Sequence, residues 1–290
     1  MANRHVRILC DSCADLPRSL AEQHQIVCVP LTFSFGKDVF RDQIDMQCDE
    51  FYTKLKSDPR HPNTSQITPA EYEPFFREAT ADGGEAVYIG LSSGLSGSLQ
   101  NATLVAAGPE FGGRIRVVDS LGASIGYGLM VLRAADLAAA GTPAGEIVTA
   151  IESLRDRMCH VFTLDTLEYA HRGGRVSAFS AAASRILDVK PVLHMDMAGK
   201  LVAIDRVRGR KKALNRLFGE LERLGANPAG QRVGVCHAAA ESEALDAAER
   251  FKTQYGAAEV VVAEIGPVIG THTGPGCVSI FFEGPVGRGE

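Results

Sequence analysis

Short apolar runs punctuate the chain, and through its first half they alternate with stretches of helical periodicity. Residues 6–10, 86–89 and 114–119 are rich in β-branched, aromatic and aliphatic side chains and read as buried strands. Residues 26–35 are too apolar for a loop and read as one or two strands, followed by a turn at Gly36-Lys-Asp38 and a short return over 39–42. Helices are expected from Pro17 to about His24, over 49–56, and from the capping box Thr68-Pro-Ala-Glu71 to about Ala79. Three more fall at 99–107 with Gly108 as the stop, at about 123–140, and from Gly141-Thr-Pro143 to about Arg157. Residues 57–63 read as a loop on their Pro and Asn content. Strands alternating with helices at crossover spacing predict an α/β fold with a doubly wound, mainly parallel sheet.

The pattern changes after residue 158. Residues 159–164 read as a strand, 167–172 as a short helix closed by Gly173-Gly174, and 180–187 as a helix. Residues 189–195 and 201–208 flank Ala198-Gly199, the best hairpin signal in the chain. A helix over 211–224 places Leu214, Leu217, Phe218, Leu221 and Leu224 at core spacing. Strands at 233–236 and 260–262 surround a helix over 241–255, and 277–282 is the last strand. A hairpin inside a β/α segment predicts a mixed sheet and a second domain, giving an N-terminal α/β domain over 1–160 and a C-terminal one over 161–290. Residues 266–276, rich in Gly and Pro, read as a shaped loop.

Composition narrows the classes. At 290 residues, with 45% hydrophobic and 22% charged residues, the chain has the balance of a soluble globular protein large enough for two modest domains. A net charge of −5 argues against general nucleic-acid binding. No apolar run reaches membrane-span length, and Met1-Ala-Asn-Arg-His5 leads into a strand rather than a signal peptide. Seven scattered cysteines do not suggest a disulfide framework, so a cytoplasmic protein is expected. Cys10-Asp-Ser-Cys13 has C-x-x-C spacing, but no second Cys pair or His pair at ligand spacing accompanies it, and it reads as incidental.

The candidate chemistry gathers at loops. Between the strand at 86–89 and the helix at 99–107 lie Ser92, Ser93, Gly94, Ser96, Gly97 and Ser98. Hydroxyls and free backbone N–H groups there meet the positive end of a helix dipole, which suits an anion. No Lys follows the glycines, so the P-loop pattern is absent, and a Ser-lined site without a fixed cation fits a carboxylate better than a triphosphate. An ordinary strand-to-helix turn with serine caps would account for this loop taken singly. Thr64-Ser-Gln66 stands just outside a second helix N-terminus, and two such loops are more specific than one. His272 sits between two threonines in the C-terminal loop. Arg206, Arg208, Arg210, Lys211 and Lys212 crowd a helix start, where positive charge is unfavourable unless an anionic partner compensates. A competing reading takes Ser96 as a hydrolase nucleophile with His272 as base. It lacks the second elbow glycine, and no acidic partner for His272 stands out.

In register along nearly the whole chain, the motifs Asp11-Ser-Cys-Ala-Asp-Leu-Pro17, Thr64-Ser-Gln66, Ser92-Ser-Gly-Leu-Ser-Gly97, Val118-Asp-Ser120, Arg172-Gly-Gly-Arg175, Lys190-Pro191, Val207-Arg-Gly-Arg-Lys-Lys-Ala213 and Gly270-Thr-His-Thr-Gly-Pro-Gly276 resemble the DegV family of bacterial fatty-acid-binding proteins. Cys13 stands where the family usually has Thr, and Ile67 where Pro is common. The resemblance implies two α/β domains with one long-chain fatty acid between them and no cofactor. It implies a carboxylate held by the Thr64 and Ser96 hydroxyls with His272 close by and Ser65, Ser93 and Gly97 alongside, and an acyl tail in an apolar tunnel. It also implies presentation of the lipid to a fatty acid kinase, with Arg208 and His272 serving partner docking or phosphoryl transfer, and no turnover by this chain alone.

Overall fold

The computed structural model describes residues 6–176 and 188–289. The helix expected over 180–187 lies outside the described residues. In chain order the first half contains β1 (Val6–Asp11), α1 (Arg18–Gln23), β2 (Val27–Val29), β3 (Thr32–Phe35), β4 (Asp38–Arg41), α2 (Cys48–Ser57), β5 (Pro62–Ser65), α3 (Pro69–Ala79), β6 (Glu85–Gly90), α4 (Ser98–Ala106), β7 (Ile115–Asp119), α5 (Ile125–Ala139) and α6 (Ala144–Arg155). The second contains β8 (Met158–Thr163), α7 (Glu168–Arg172), β9 (Val189–Met195), β10 (Leu201–Arg208), α8 (Arg210–Arg223), β11 (Arg232–His237), α9 (Glu241–Tyr255), β12 (Glu259–Glu264), α10 (Pro267–Thr273) and β13 (Val278–Glu283).

The first sheet runs β2-β1-β6-β7 with every neighbour parallel, as the alternating pattern predicts. The chain leaves β1 for β2 on one side and later returns to β6 on the other. Such a switch opens a crevice beyond the strand C-terminal ends. Buried Asp11 sits at that point and accepts from Tyr127 Oη at 2.6 Å, Tyr88 Oη at 2.9 Å and Leu91 N at 2.8 Å. These bonds tie the start of the Ser92–Ser98 turn to the end of β1.

The second sheet is mixed, in the order β10-β9-β8-β13-β11-β12, and only β11 and β12 pair in parallel. Helix α5 lies between the two sheets and is buried through residues 125–132. A helix apolar on all sides belongs in an interior. Two of its glycines allow close approach on opposite faces. A Cβ on Gly126 would lie 2.4 Å from His160 Nε2 and 2.5 Å from Phe281, and one on Gly128 would lie 2.7 Å from the Ala14 carbonyl.

Two segments differ from the sequence reading. Residues 62–63, expected as loop, begin β5, which joins β3 and β4 in a small antiparallel sheet of order β4-β3-β5. The polar Pro62–Ser65 segment has no strand pattern of its own. It is held by pairing with β3, whose Phe33 packs edge-on to Phe51 at 5.3 Å. The expected loop over 266–276 contains α10. Pro267 at its first position is pre-set for helix, and Gly274 ends it at φ 67°.

Candidate functional site

A cavity of about 320 Å³ lies between the two sheets. Its polar lining includes Thr64, Ser65 and Gln66 at the end of β5, Ser96 and Gly97 in the β6–α4 turn, and His272 at the end of α10. The rest is largely apolar, with Leu31, Leu91, Phe162, Met195, Val268 and Phe281 among the walls. The two hydroxyl-bearing loops are stitched together directly. Ile67 N donates to Ser98 Oγ at 3.1 Å and Asn101 Nδ2 donates to the Ile67 carbonyl at 2.8 Å. The Gln66 side chain lies directly over Gly97, where a Cβ would come within 2.2 Å of its Oε1.

His272 Nε2 lies 3.0 Å from Thr64 Oγ1, while its Nδ1 is buried with no hydrogen-bond partner among the described residues. Burial, helped by the positive charge of Arg175, pushes the imidazole pKa down to about 4, so the ring is neutral at pH 7. Space for it is left by Gly173, where a Cβ would lie 2.0 Å from Nδ1. The helix carrying His272 is anchored from the first half of the chain. Gly266 N donates to Asp15 Oδ1 at 2.9 Å, Val268 N to Asp42 Oδ1 at 3.1 Å, and Tyr52 Oη to the Ile265 carbonyl at 2.8 Å. Burial raises the pKa of both carboxyls, that of Asp42 to about 6.

The tip of the β9–β10 hairpin closes the opposite side of the serine turn. Ser92 Oγ donates to the Gly199 carbonyl at 2.8 Å. A Cβ on Gly94 would lie 2.6 Å from the Ala198 carbonyl, so backbone packs on backbone here. Asp196 shapes the tip by accepting from Ala198 N at 3.0 Å and Lys200 N at 2.8 Å.

A family model described as "Uncharacterised protein, DegV family" matches residues 5–284. The chain belongs to the DegV family. A DegV domain-containing protein of Clostridium perfringens is 34% identical over 285 residues, which cover 96% of this chain and 97% of that one. The structure is similar to a DegV family protein from Thermus thermophilus described by its fatty acid binding, with TM-score 0.89, 30% identity, and coverage of 97% of this chain and 100% of that one. It is also similar to DegV of Bacillus subtilis, described as a fatty acid binding protein, with TM-score 0.86, 30% identity and the same coverage.

Of the residues singled out in the sequence, this DegV chain brings Thr64, Ser65, Ser96, Gly97 and His272 to one cavity. Ser93 is exposed, its N–H bonded to Asp119 Oδ1 at 3.2 Å, and it is not among the lining residues. Arg208 is exposed at the far end of β10 from Leu201, which does line the cavity. The expectation of a site without a fixed cation needs correction. Arg175 lines the cavity, its Nε donating to the Leu95 carbonyl at 3.2 Å and its Nη1 to the Gly173 carbonyl at 2.6 Å. Its sequence signal was the Arg172-Gly-Gly-Arg175 motif, in which the glycine pair ends a helix and turns the chain back toward the serine loop. The hydrolase arrangement is not assembled among the described residues. Ser96 Oγ pairs with Ser98 Oγ at 3.0 Å, His272 pairs with Thr64, and no carboxylate orients His272 Nδ1.

Proposed function

We propose that this chain binds one long-chain fatty acid, with the carboxylate at Thr64 and Ser96 and the acyl tail along the apolar walls, and presents it to a cytoplasmic fatty acid kinase. The observation that carries the reading is a cavity between the two sheets that joins a cluster of hydroxyls to a largely apolar lining. The description of the Thermus and Bacillus structures as fatty acid binding supports it. At roughly 0.8 kcal/mol per buried methylene, a sixteen-carbon tail contributes on the order of 10 kcal/mol gross. The head group then needs satisfied hydrogen bonds, because a buried, unpaired carboxylate would be costly.

The neutral His272 fixes the direction of the proton chain. A carboxylate only accepts, so Thr64 must donate its hydroxyl proton to it. His272 must then be the Nε2–H tautomer, donating to Thr64 Oγ1. Arg175 adds a positive field while two backbone carbonyls hold it in place. Ser96 is already bonded to Ser98 Oγ and receives Ser98 N at 3.2 Å, so its hydroxyl turns toward a bound carboxylate without leaving Ser98 N unpaired.

The test is a displacement titration of palmitate and methyl palmitate against wild type and the Thr64→Ala/Ser96→Ala double variant. Loss of one charge-assisted bond costs about 1.5–3 kcal/mol, roughly ten- to a hundredfold in affinity. Wild type should prefer the acid, and the preference should shrink in the double variant while tail-driven binding persists. Equal wild-type affinity for acid and ester would reject carboxylate capture by these loops.

A further inference from the structure

The sequence offers Cys10 and Cys13 as a C-x-x-C pair, but the fold pairs Cys10 with a different thiol. In the parallel ladder of β1 and β2, Cys10 is the direct Cα partner of Cys28. Partners in such a ladder turn their side chains to the same face, so the Cys10 and Cys28 side chains are neighbours across the two strands. The two differ in access: Cys10 is buried, whereas Cys28 is exposed on a three-residue strand at the sheet edge. Cys13 lines the cavity instead.

We propose that Cys10 and Cys28 form a reversible disulfide site oxidised by peroxide, with exposed Cys28 as the attacked thiol and Cys10 as the resolving one. The Cys28 thiolate attacks the O–O bond of hydrogen peroxide, giving a sulfenic acid and one water. The Cys10 sulfur then displaces the sulfenic oxygen, which leaves as a second water with the Cys10 proton. The two thiols lose two hydrogens in all, and the peroxide is reduced to water.

Adjacent strands lie about 4.7–4.9 Å apart, inside the roughly 4.4–6.8 Å Cα separation that a disulfide spans. The Cβ atoms must approach to about 3.5–4.5 Å, closer than a flat ladder gives. Strand β2 is hydrogen-bonded on one side only and supplies that movement, so the bond is strained and easily reduced. On each strand the bridge lies three residues before the cavity wall, at Cys13 after Cys10 and at Leu31 after Cys28. These two wall segments are themselves joined, Leu31 N donating to Ser12 Oγ at 3.1 Å.

The experiment treats the full-length protein with a small molar excess of hydrogen peroxide, then unfolds it in urea with iodoacetamide to block remaining thiols, and maps peptides by mass. The expected product is a Cys10–Cys28 linked peptide pair lighter by two hydrogens, separated again by dithiothreitol. Cys28→Ser, at an exposed position, should abolish the link and leave Cys10 alkylated. A Cys10–Cys13 link, a sulfinic acid on Cys28 with Cys10 still a thiol, or an unoxidised Cys28 would each overturn the proposal. The wild-type map decides the matter even if the variant folds poorly.

Discussion

Among single residues, Asp42 is the one whose chemistry conflicts most with its place. It is fully buried, holds Val268 N, and has one carboxyl oxygen, Oδ2, without a partner among the described residues. Its native carboxyl keeps the proton up to about pH 6, whereas the unfolded chain releases it near 3.8. The native state therefore binds the extra proton between those values. The stability Asp42 contributes is complete below about pH 4 and falls as pH rises through 6. Asp42→Asn keeps an acceptor for Val268 N and removes the ionisation. At pH 7 it should be the more stable protein, by up to on the order of 3 kcal/mol. Urea unfolding at pH 4, 5.5 and 7 should show that advantage shrinking toward acid, and a difference independent of pH would contradict it. Nothing in the sequence distinguished Asp42 from a surface acid, since its burial depends on α10 arriving from the other end of the chain. Thr64, Ser96 and His272 were legible because helix starts and Gly-rich turns carry local signals. Ser93 carried the same signals, but the turn points it to solvent.

The elements were read best where pattern and pairing agree. The β9–β10 hairpin was visible from alternation around Ala198-Gly199, but its role was not. One end of the hairpin packs backbone to backbone on the serine turn, a contact made by absent side chains that periodicity does not reveal. The other end carries the basic cluster, and there the structure separates its members. Arg210 is tied to Glu243 and Asp165. Arg208 is exposed and makes no side-chain hydrogen bond or ion pair to the described residues, so its charge is available to a partner. On the reading that a kinase docks here, Arg208→Ala should retain its fatty acid and lose most of its response to the cognate kinase, measured as acyl phosphate formed. A variant that loses lipid yet supports normal phosphorylation per bound lipid would reverse that assignment. Strand β5 and helix α10 were missed as elements because each is short and is held by partners distant in sequence.

For the molecule as a whole, strand order has a consequence in time. Strands β1, β2, β6 and β7 are all made by residue 119, so the first sheet can close while the rest is still being synthesised. Strand β13 ends at residue 283 yet occupies the middle of the second sheet, between β8 and β11. Until it emerges, β8 has an open edge, and the wall containing Phe162 and Phe281 does not exist. Domains form in the order they leave the ribosome, at about 5–20 residues per second. Thr64 and Ser96 are thus in place well before there is any enclosure for a tail. Ribosome-bound chains arrested so that β13 remains in the exit tunnel should protect the first sheet from protease and hold no radiolabelled palmitate, whereas chains extended by a linker should acquire it. Capture of palmitate by the shorter chains would mean that the lipid helps to build the wall, and the protein would then be born around its cargo instead of being filled after release.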